Sequence, residues 1–190
     1  MPSANGERLL YSLEEVSRFG ETTAGGLTRL AASSEDGQAR DYVVAAARQA
    51  GCTVRIDAVG NIYMRRAGQD GHAPAILFGS HLDSQPLGGK YDGVYGVMAG
   101  LEVLRALAES NIDTGSSVEL VVWTNEEGAR FAPAMMGAAE WIGERASLPT
   151  PLIKGFKDLV KGVQDQIGLV GRDLDDIAGT ASIAAVAPQT

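Results

Sequence analysis

The sequence has little of several residue types, and each scarcity excludes something. It holds one cysteine, Cys52, so no disulfide can form within the chain. That fits a reducing compartment, and a cytoplasmic location is expected. It holds two histidines, His72 and His81, so no site built on three imidazoles is possible within these 190 residues. Long apolar runs are missing: no window reaches about 18 uninterrupted apolar residues, so no membrane span is expected. The opening "MPSANGERLLYSLEEVSRFG" has no basic stretch followed by an apolar core, so no signal peptide is read. Basic residues are outnumbered, 16 against 24 acidic, for a formal net charge of −8. A chain this acidic repels phosphate backbones, which argues against nucleic acid as a partner. Acidic clusters can instead hold cations.

What is present suffices for a core. At 45% hydrophobic, 190 residues can fold as one domain with a buried interior. Residues 12–19 read as a helix with Ser12 as N-cap and Glu15 at the capping-box position. Residues 36–50 read as a second helix whose Tyr42, Val43, Ala46 and Ala50 share a face and which Gly51 stops. "CTVRIDAV", "NIYMRR" and "PAILFG" read as strands, the first two joined as a hairpin at Gly60-Asn61. The continuously apolar third is expected to be buried on both faces. Residues 93–108 form a helix with Val97, Leu101, Leu104 and Ala108 on one stripe, and small residues at 96, 99 and 100 permit close packing. "VELVVWT" is a further buried strand, ending at Asn125. The order implies an α/β fold, a mixed and mostly parallel sheet flanked by helices, with at least one parallel β-α-β crossover. From Ala138 the composition changes, so we divide the chain into 1–137 and a divergent, weakly structured tail over 138–190. Amphipathic helices are possible there at 152–167 and 172–178.

The stretch "FGSHLDSQPLGGKYDGVYG", Phe78 to Gly96, packs a histidine, two aspartates and five glycines into nineteen residues. A second acidic cluster, "WTNEEGARF", follows the last buried strand. Active sites of open α/β sheets lie at such strand ends. His81 is a candidate metal ligand, and Asp83 a candidate to orient its ring by accepting a hydrogen bond from the other nitrogen. Asp92, returning after a Gly-rich turn, can bridge two cations. Glu127 can ligate, and Glu126 can act as a carboxylate base, because a metal lowers the pKa of water to about 7. The donor set suits Zn²⁺, Mn²⁺, Co²⁺ or Ni²⁺ without choosing among them. Each piece has a blander reading: a hydrogen-bonded loop histidine, an Asp-Gly turn, a solvated Glu pair. What those readings do not predict is both clusters at the ends of apolar strands. Cys52 reads as core filler, His72 as an exposed loop residue, and Trp123 and Trp141 as packing residues. Ser80 and Ser84 lack a histidine base of their own.

"GSHLDSQPLGGKYDGVYGVMAGLEVLRAL" and "WTNEEGARFAPAMMGA" resemble the metal-binding motifs of the M20 metallopeptidase-like amidohydrolases. They are most similar to the hydantoinase/carbamoylase group, which includes N-carbamoyl-L-amino-acid hydrolase, β-ureidopropionase and allantoate amidohydrolase. The resemblance covers residues 7–137, and its G-G-K-Y-D-G and N-E-E-G-x-R-F contexts separate this group from ordinary M20 peptidases. It implies a partial zinc-exopeptidase-like catalytic domain with two divalent metal ions. His81 would ligate one ion, Asp92 would bridge both and Glu127 would ligate the second. Glu126 would be the general base and Asp83 would orient His81. The implied reaction is hydrolysis of the carbamoyl C–N bond of an N-carbamoyl amino acid or other ureido acid. The group's later histidines and its lid and dimerisation domain have no counterpart here. The chain is therefore expected to be incomplete, weakly active or inactive, with substrate-binding residues unassigned and the group's homodimer not expected. Two alternatives are a non-catalytic fragment or interaction module with residual metal binding, and an M20 exopeptidase or deacylase.

Overall fold

The computed structural model describes residues 2–142. Its elements run α1 (Gly6–Ser17), α2 (Ser34–Gln49), β1 (Thr53–Ile56), β2 (Ile62–Arg66), β3 (Ile76–His81), α3 (Val94–Glu109), β4 (Val118–Trp123) and α4 (Met136–Ile142). The four strands form one sheet in the order β1-β2-β4-β3. The β1–β2 hairpin is present, with Thr53 opposite Arg65 and Ile56 opposite Ile62. The expected crossover is present too: β3 leads through α3 to β4, and the two strands pair in parallel from Ile76–Val118 to His81–Trp123. The sheet is mixed, as expected, but its balance is different. Two of the three pairings, β1–β2 and β2–β4, are antiparallel. A hairpin followed by a single crossover inserts β4 between β2 and β3, so it meets one neighbour in each sense.

β4 is the central strand, and its apolar run follows from being covered on both sides. Val118, Leu120 and Val122 join Ile62 and Met64 in the main core, against Leu13 and Val16 of α1, Val43, Val44 and Ala47 of α2 and Val97, Leu101 and Leu104 of α3. On the opposite face, Trp123 packs edge-on to Tyr63 at 6.3 Å and against Trp141 of α4 at 6.0 Å. Trp123 is a packing residue, as read from the sequence, whereas Trp141 touches it but is 54% exposed. Cys52 is buried in the core. β3 departs from expectation: it is an edge strand among the described residues, as β1 is at the other side, and Ile76 is 59% exposed. Phe78 is the residue it turns towards the core. The small residues of α3 do what their spacing implied. A Cβ at Gly100 would lie 2.6 Å from Leu120 and 2.8 Å from Phe78, so only glycine lets α3 approach the sheet this closely.

The first helix begins earlier than its capping-box pattern suggests. Asn5 is the N-cap and its side chain accepts from the Arg8 amide, while Ser12 is buried mid-helix and its hydroxyl accepts from Arg105. The second helix is capped by Ser33, accepting from the Asp36 amide, and Gly51 with φ +78° follows its end. α4 spans Met136–Ile142 and so crosses the 137/138 boundary; the helices expected at 152–167 and 172–178 lie outside the described residues. No helix among the described residues is long and apolar enough to cross a membrane.

α1 is fastened to α3 by a polar lock. Glu102, 1% exposed, receives both Arg8 Nε and Nη2 at 2.8 Å, and also the Asn5 amide at 2.7 Å. Arg8 reaches on to Glu109. Burial alone pushes the Glu102 carboxyl up, but the donors from Arg8 and Asn5 outweigh it and hold the group below the usual carboxylate range. Its contribution is thus complete above the unfolded value of about 4.3 and is lost as pH falls through the lower folded value. Glu102→Gln is expected to cost about 1–2 kcal/mol at neutral pH. The gap to the parent should narrow as pH drops below about 4. Thermal unfolding of both proteins across that range checks this; parallel curves would contradict it.

Candidate metal centre

His81 is the last residue of β3, and Glu126 and Glu127 follow β4 by three and four positions. Because the two strands are parallel and in register, their C-terminal ends bring the two segments side by side. Asn125, with φ +51°, then turns the chain out of the strand, and its side-chain amide donates to the carbonyls of Phe131 and Pro133. The third contributor, Asp92, precedes the first turn of α3. One nitrogen of His81 and one oxygen each of Asp92 and Glu127 lie within 4.8 Å of one another. Donors on one tetrahedral ion with bonds of about 2.0–2.2 Å lie roughly 3.3–3.6 Å apart, so side-chain movements on the order of an ångström would bring these three onto a common cation. Glu126 lies beside them, its Oε2 3.4 Å from His81 Nε2.

The histidine ring is held in a defined orientation. Its Nδ1 lies 2.9 Å from the main-chain carbonyl of Asp83, a group that only accepts. Nδ1 therefore carries the hydrogen in the neutral ring, and Nε2 presents its lone pair towards the acidic cluster. This corrects the expectation for Asp83: it orients the ring through its carbonyl, not its carboxylate, which is 3.8 Å from Nδ1. The carboxylate has another task. Its two oxygens accept the main-chain amides of Glu126 and Glu127, each at 3.2 Å. At 1% exposure, burial raises the Asp83 pKa, as does nearby Asp36; the two amides and His81 act in the opposite direction.

Gly93 leaves room for the imidazole. Its φ is +68°, and a Cβ there would lie 2.4 Å from both Cε1 and Nε2 of His81. Asp92 precedes the N-terminal end of α3, where the helix dipole favours a negative group.

Several supporting residues were not legible in the sequence. Arg29 is fully buried; its Nε donates to the Leu82 carbonyl at 2.7 Å, its amide to Ser84 Oγ, and its carbonyl accepts from the Ser84 amide. Burial lowers its pKa to about 10, opposed by Asp36 and Asp83. Arg40 pairs with Asp36 at 2.9 Å, donates to the Gly60 carbonyl and reaches Thr124 Oγ1. Asn61 accepts from the Thr124 amide at 2.9 Å and donates to the Gly137 carbonyl. Arg130 ties the acidic loop to the carbonyls of Ala31 and Ala32. Gln85 donates to Glu127 Oε2 at 2.9 Å. Only Asn61, in its Gly-Asn turn, had any local signal. His72 is exposed and its amide bonds to Asp70, so among the described residues the centre has one imidazole. Ser84 is engaged by main-chain groups of Leu27, Arg29 and Gln85 rather than by a base.

Comparison with known proteins gives a consistent picture. The sequence pattern of peptidase family M28 matches residues 61–158, about half of the chain. An N-carbamoyl-L-amino-acid amidohydrolase of Rhizobium meliloti is 41% identical over 139 residues, 73% of this chain and 33% of that protein. A ureidoglycolate hydrolase of Oryza sativa subsp. japonica is 37% identical over 173 residues, 91% of this chain and 33% of that protein. Among solved structures, a hydantoinase/carbamoylase family amidase from Burkholderia ambifaria has a TM-score of 0.79 at 45% identity, covering 88% of this chain and 41% of that one. The chain thus spans about a third of the length of the curated relatives it matches. The matching pattern carries the M28 description where the motif resemblance named M20; the relatives' names are those of the hydantoinase/carbamoylase group.

The packing of Gly93 on His81 yields a direct test. Gly93→Ala should displace the ring and weaken divalent-cation binding roughly tenfold or more. Calorimetric titration with Zn²⁺ or Mn²⁺ measures this, and unchanged affinity would show that the contact does not constrain the ring.

Proposed function

The chain belongs to peptidase family M28 and shares the fold of the hydantoinase/carbamoylase amidases; from that premise we propose that it carries the centre of a metal-dependent hydrolase of linear amide or ureido C–N bonds. The proposed substrate is an N-carbamoyl amino acid or another ureido acid. The observation that carries this reading is the convergence of a His81 ring nitrogen with carboxylate oxygens of Asp92 and Glu127 at the ends of β3 and β4 and the start of α3, with Glu126 alongside.

The residues fit a divalent cation. One imidazole with its lone pair turned inward and two carboxylates make a mixed nitrogen and oxygen donor set suited to Zn²⁺, Mn²⁺, Co²⁺ or Ni²⁺. When bound, such an ion supplies Lewis acidity, polarising a substrate carbonyl and making water acidic enough to react near neutral pH. His81, Asp92 and Glu127 would hold it, and a second ion shared through Asp92 is part of the proposal. Glu126 is assigned as the general base. Its carboxylate lies at the cluster without being needed as a ligand, so it is free to take a proton from attacking water and return it to the departing nitrogen. Asp83 keeps His81 in its ligating tautomer and fixes the main chain of both glutamates. The relatives named as N-carbamoyl-L-amino-acid amidohydrolases and ureidoglycolate hydrolases support the ureido class of substrate. A second reading, a chain that binds metal without turnover, is favoured by the single imidazole at the centre among the described residues.

Purified protein incubated with Mn²⁺ or Zn²⁺ and a panel of N-carbamoyl amino acids should release ammonia; absence of release with metal bound would favour the second reading. Glu126→Gln should retain metal and lose roughly 10²–10⁴-fold in turnover. His81→Ala should lose metal binding. Equal turnover in Glu126→Gln and the parent would remove Glu126 from the role of base.

A further inference from the structure

Glu127 is held at its main chain but has a long, flexible side chain at an irregular strand end. Its amide is fixed by Asp83 Oδ2, and the preceding turn is set by Asn125. Neither contact directs the carboxylate. The contact that does comes from Gln85, whose Nε2 donates to Glu127 Oε2 at 2.9 Å. An ionised carboxylate only accepts, so the amide must turn its nitrogen to it. Gln85 is itself on a built platform. Its carbonyl accepts from Ser84 Oγ at 3.0 Å and from the Gly88 amide at 3.2 Å. Gly88 is in turn bridged in both directions to Leu27, by bonds of 2.8 and 2.9 Å.

We infer that Gln85 is a positioning residue for Glu127, aiming its carboxylate at the cation and engaging one of its oxygens. The inference rests on the metal-dependent reading proposed above. A neutral donor suits the task chemically. Lysine at this position would neutralise the charge the cation needs, and a glutamate would repel Glu127 or compete for the ion. An amide restrains the carboxylate and leaves its charge intact. With Oε2 engaged, the other oxygen is the freer one for coordination. The segment 81–85 thereby serves both halves of the centre. It supplies one ligand, His81, and it directs another, Glu127, through Asp83 at the main chain and Gln85 at the side chain.

The test is calorimetric titration of the full chain with Zn²⁺ and with Mn²⁺, alongside thermal unfolding of the metal-free proteins. Gln85→Ala is expected to bind about tenfold more weakly, as loss of a partner to a metal ligand typically does. Its metal-free unfolding temperature should match that of the parent, because the bond is at the surface. Gln85→Met, which keeps the length and removes the donor, should show the same loss. Affinity in Gln85→Ala within twofold of the parent would overturn the inference. So would retained affinity in Gln85→Met, which would make the effect one of packing, or a fall in metal-free stability matching the lost affinity. His81→Ala separates this failure from that of the underlying reading. If His81→Ala abolishes binding while Gln85→Ala does not, Gln85 alone is wrongly assigned. If neither changes binding, the metal centre itself is wrong and the inference falls with it.

Discussion

The centre depends on one buried carboxylate. β3 and β4 run parallel and end together, but two adjacent strands carry no instruction about how the loops beyond them should lie. Asp83 supplies it. Its two oxygens hold the amides of Glu126 and Glu127, and its carbonyl holds His81 Nδ1. A buried carboxylate without partners would be strongly unfavourable. Here the groups that oppose its desolvation are the main-chain amides of Glu126 and Glu127 and the His81 ring, so the contacts that solvate Asp83 also fix how the two strand ends lie. Its role is therefore wider than orienting a histidine, and it couples the two strand ends into one unit.

Around that unit the protein spends buried polar contacts on the strand ends. Arg29 fixes Leu82 and Ser84 on the β3 side. Arg40 and Asn61 converge on Thr124 on the β4 side, and Asn61 leaves space for no side chain at 137: a Cβ on Gly137 would lie 2.0 Å from its Oδ1. Arg130 returns the acidic loop to residues 31 and 32, next to the segment Arg29 belongs to. The stretch from 27 to 36 is thus a common anchor for both loops that carry the candidate ligands, although it carries none itself. Rigid support of this kind is what lets a few exposed side chains keep a defined geometry.

The legible part of the sequence was the part governed by periodicity and by local chemistry. α3 was readable because Val97, Leu101 and Leu104 repeat at helical spacing, and β4 because its apolar run demands cover on both faces. The clusters were readable because glycines and acids at strand ends have few structural explanations. What failed were features decided by distant residues. The apolar character of β3 suggested an interior strand, yet nothing local specifies which neighbours a strand acquires. The capping-box spacing at Ser12 was locally sound, but Asn5 starts the helix earlier, and Arg8 in its first turns meets Glu102, 94 positions along the chain. The Asp83 carboxylate and carbonyl are two atoms apart in one residue, and only the tertiary arrangement decides which of them meets the imidazole. Arg29 and Gln85 belong to no pattern at all; their importance is in whom they touch.

The electrostatic arrangement gives the centre its chemical preference. Asp83, Asp92, Glu126 and Glu127 gather around one imidazole, and among the described residues no lysine or arginine contacts the three candidate ligand side chains directly. Arg29 and Arg40 are near, but their hydrogen bonds go to main-chain groups, Asp36 and Thr124. Carboxylates this close repel one another, and a cationic side chain in their midst would relieve that and remove any need for an ion. That leaves the relief to something outside these contacts, and the proposed affinity for a divalent cation would be a property of the whole arrangement rather than of one residue. Glu127 is contacted at both its main chain and its side chain, by Asp83 and Gln85, whereas Glu126 is fixed by Asp83 at the main chain and its carboxylate lies 3.4 Å from His81 Nε2; on the proposed reading this is the difference between a ligand and a base.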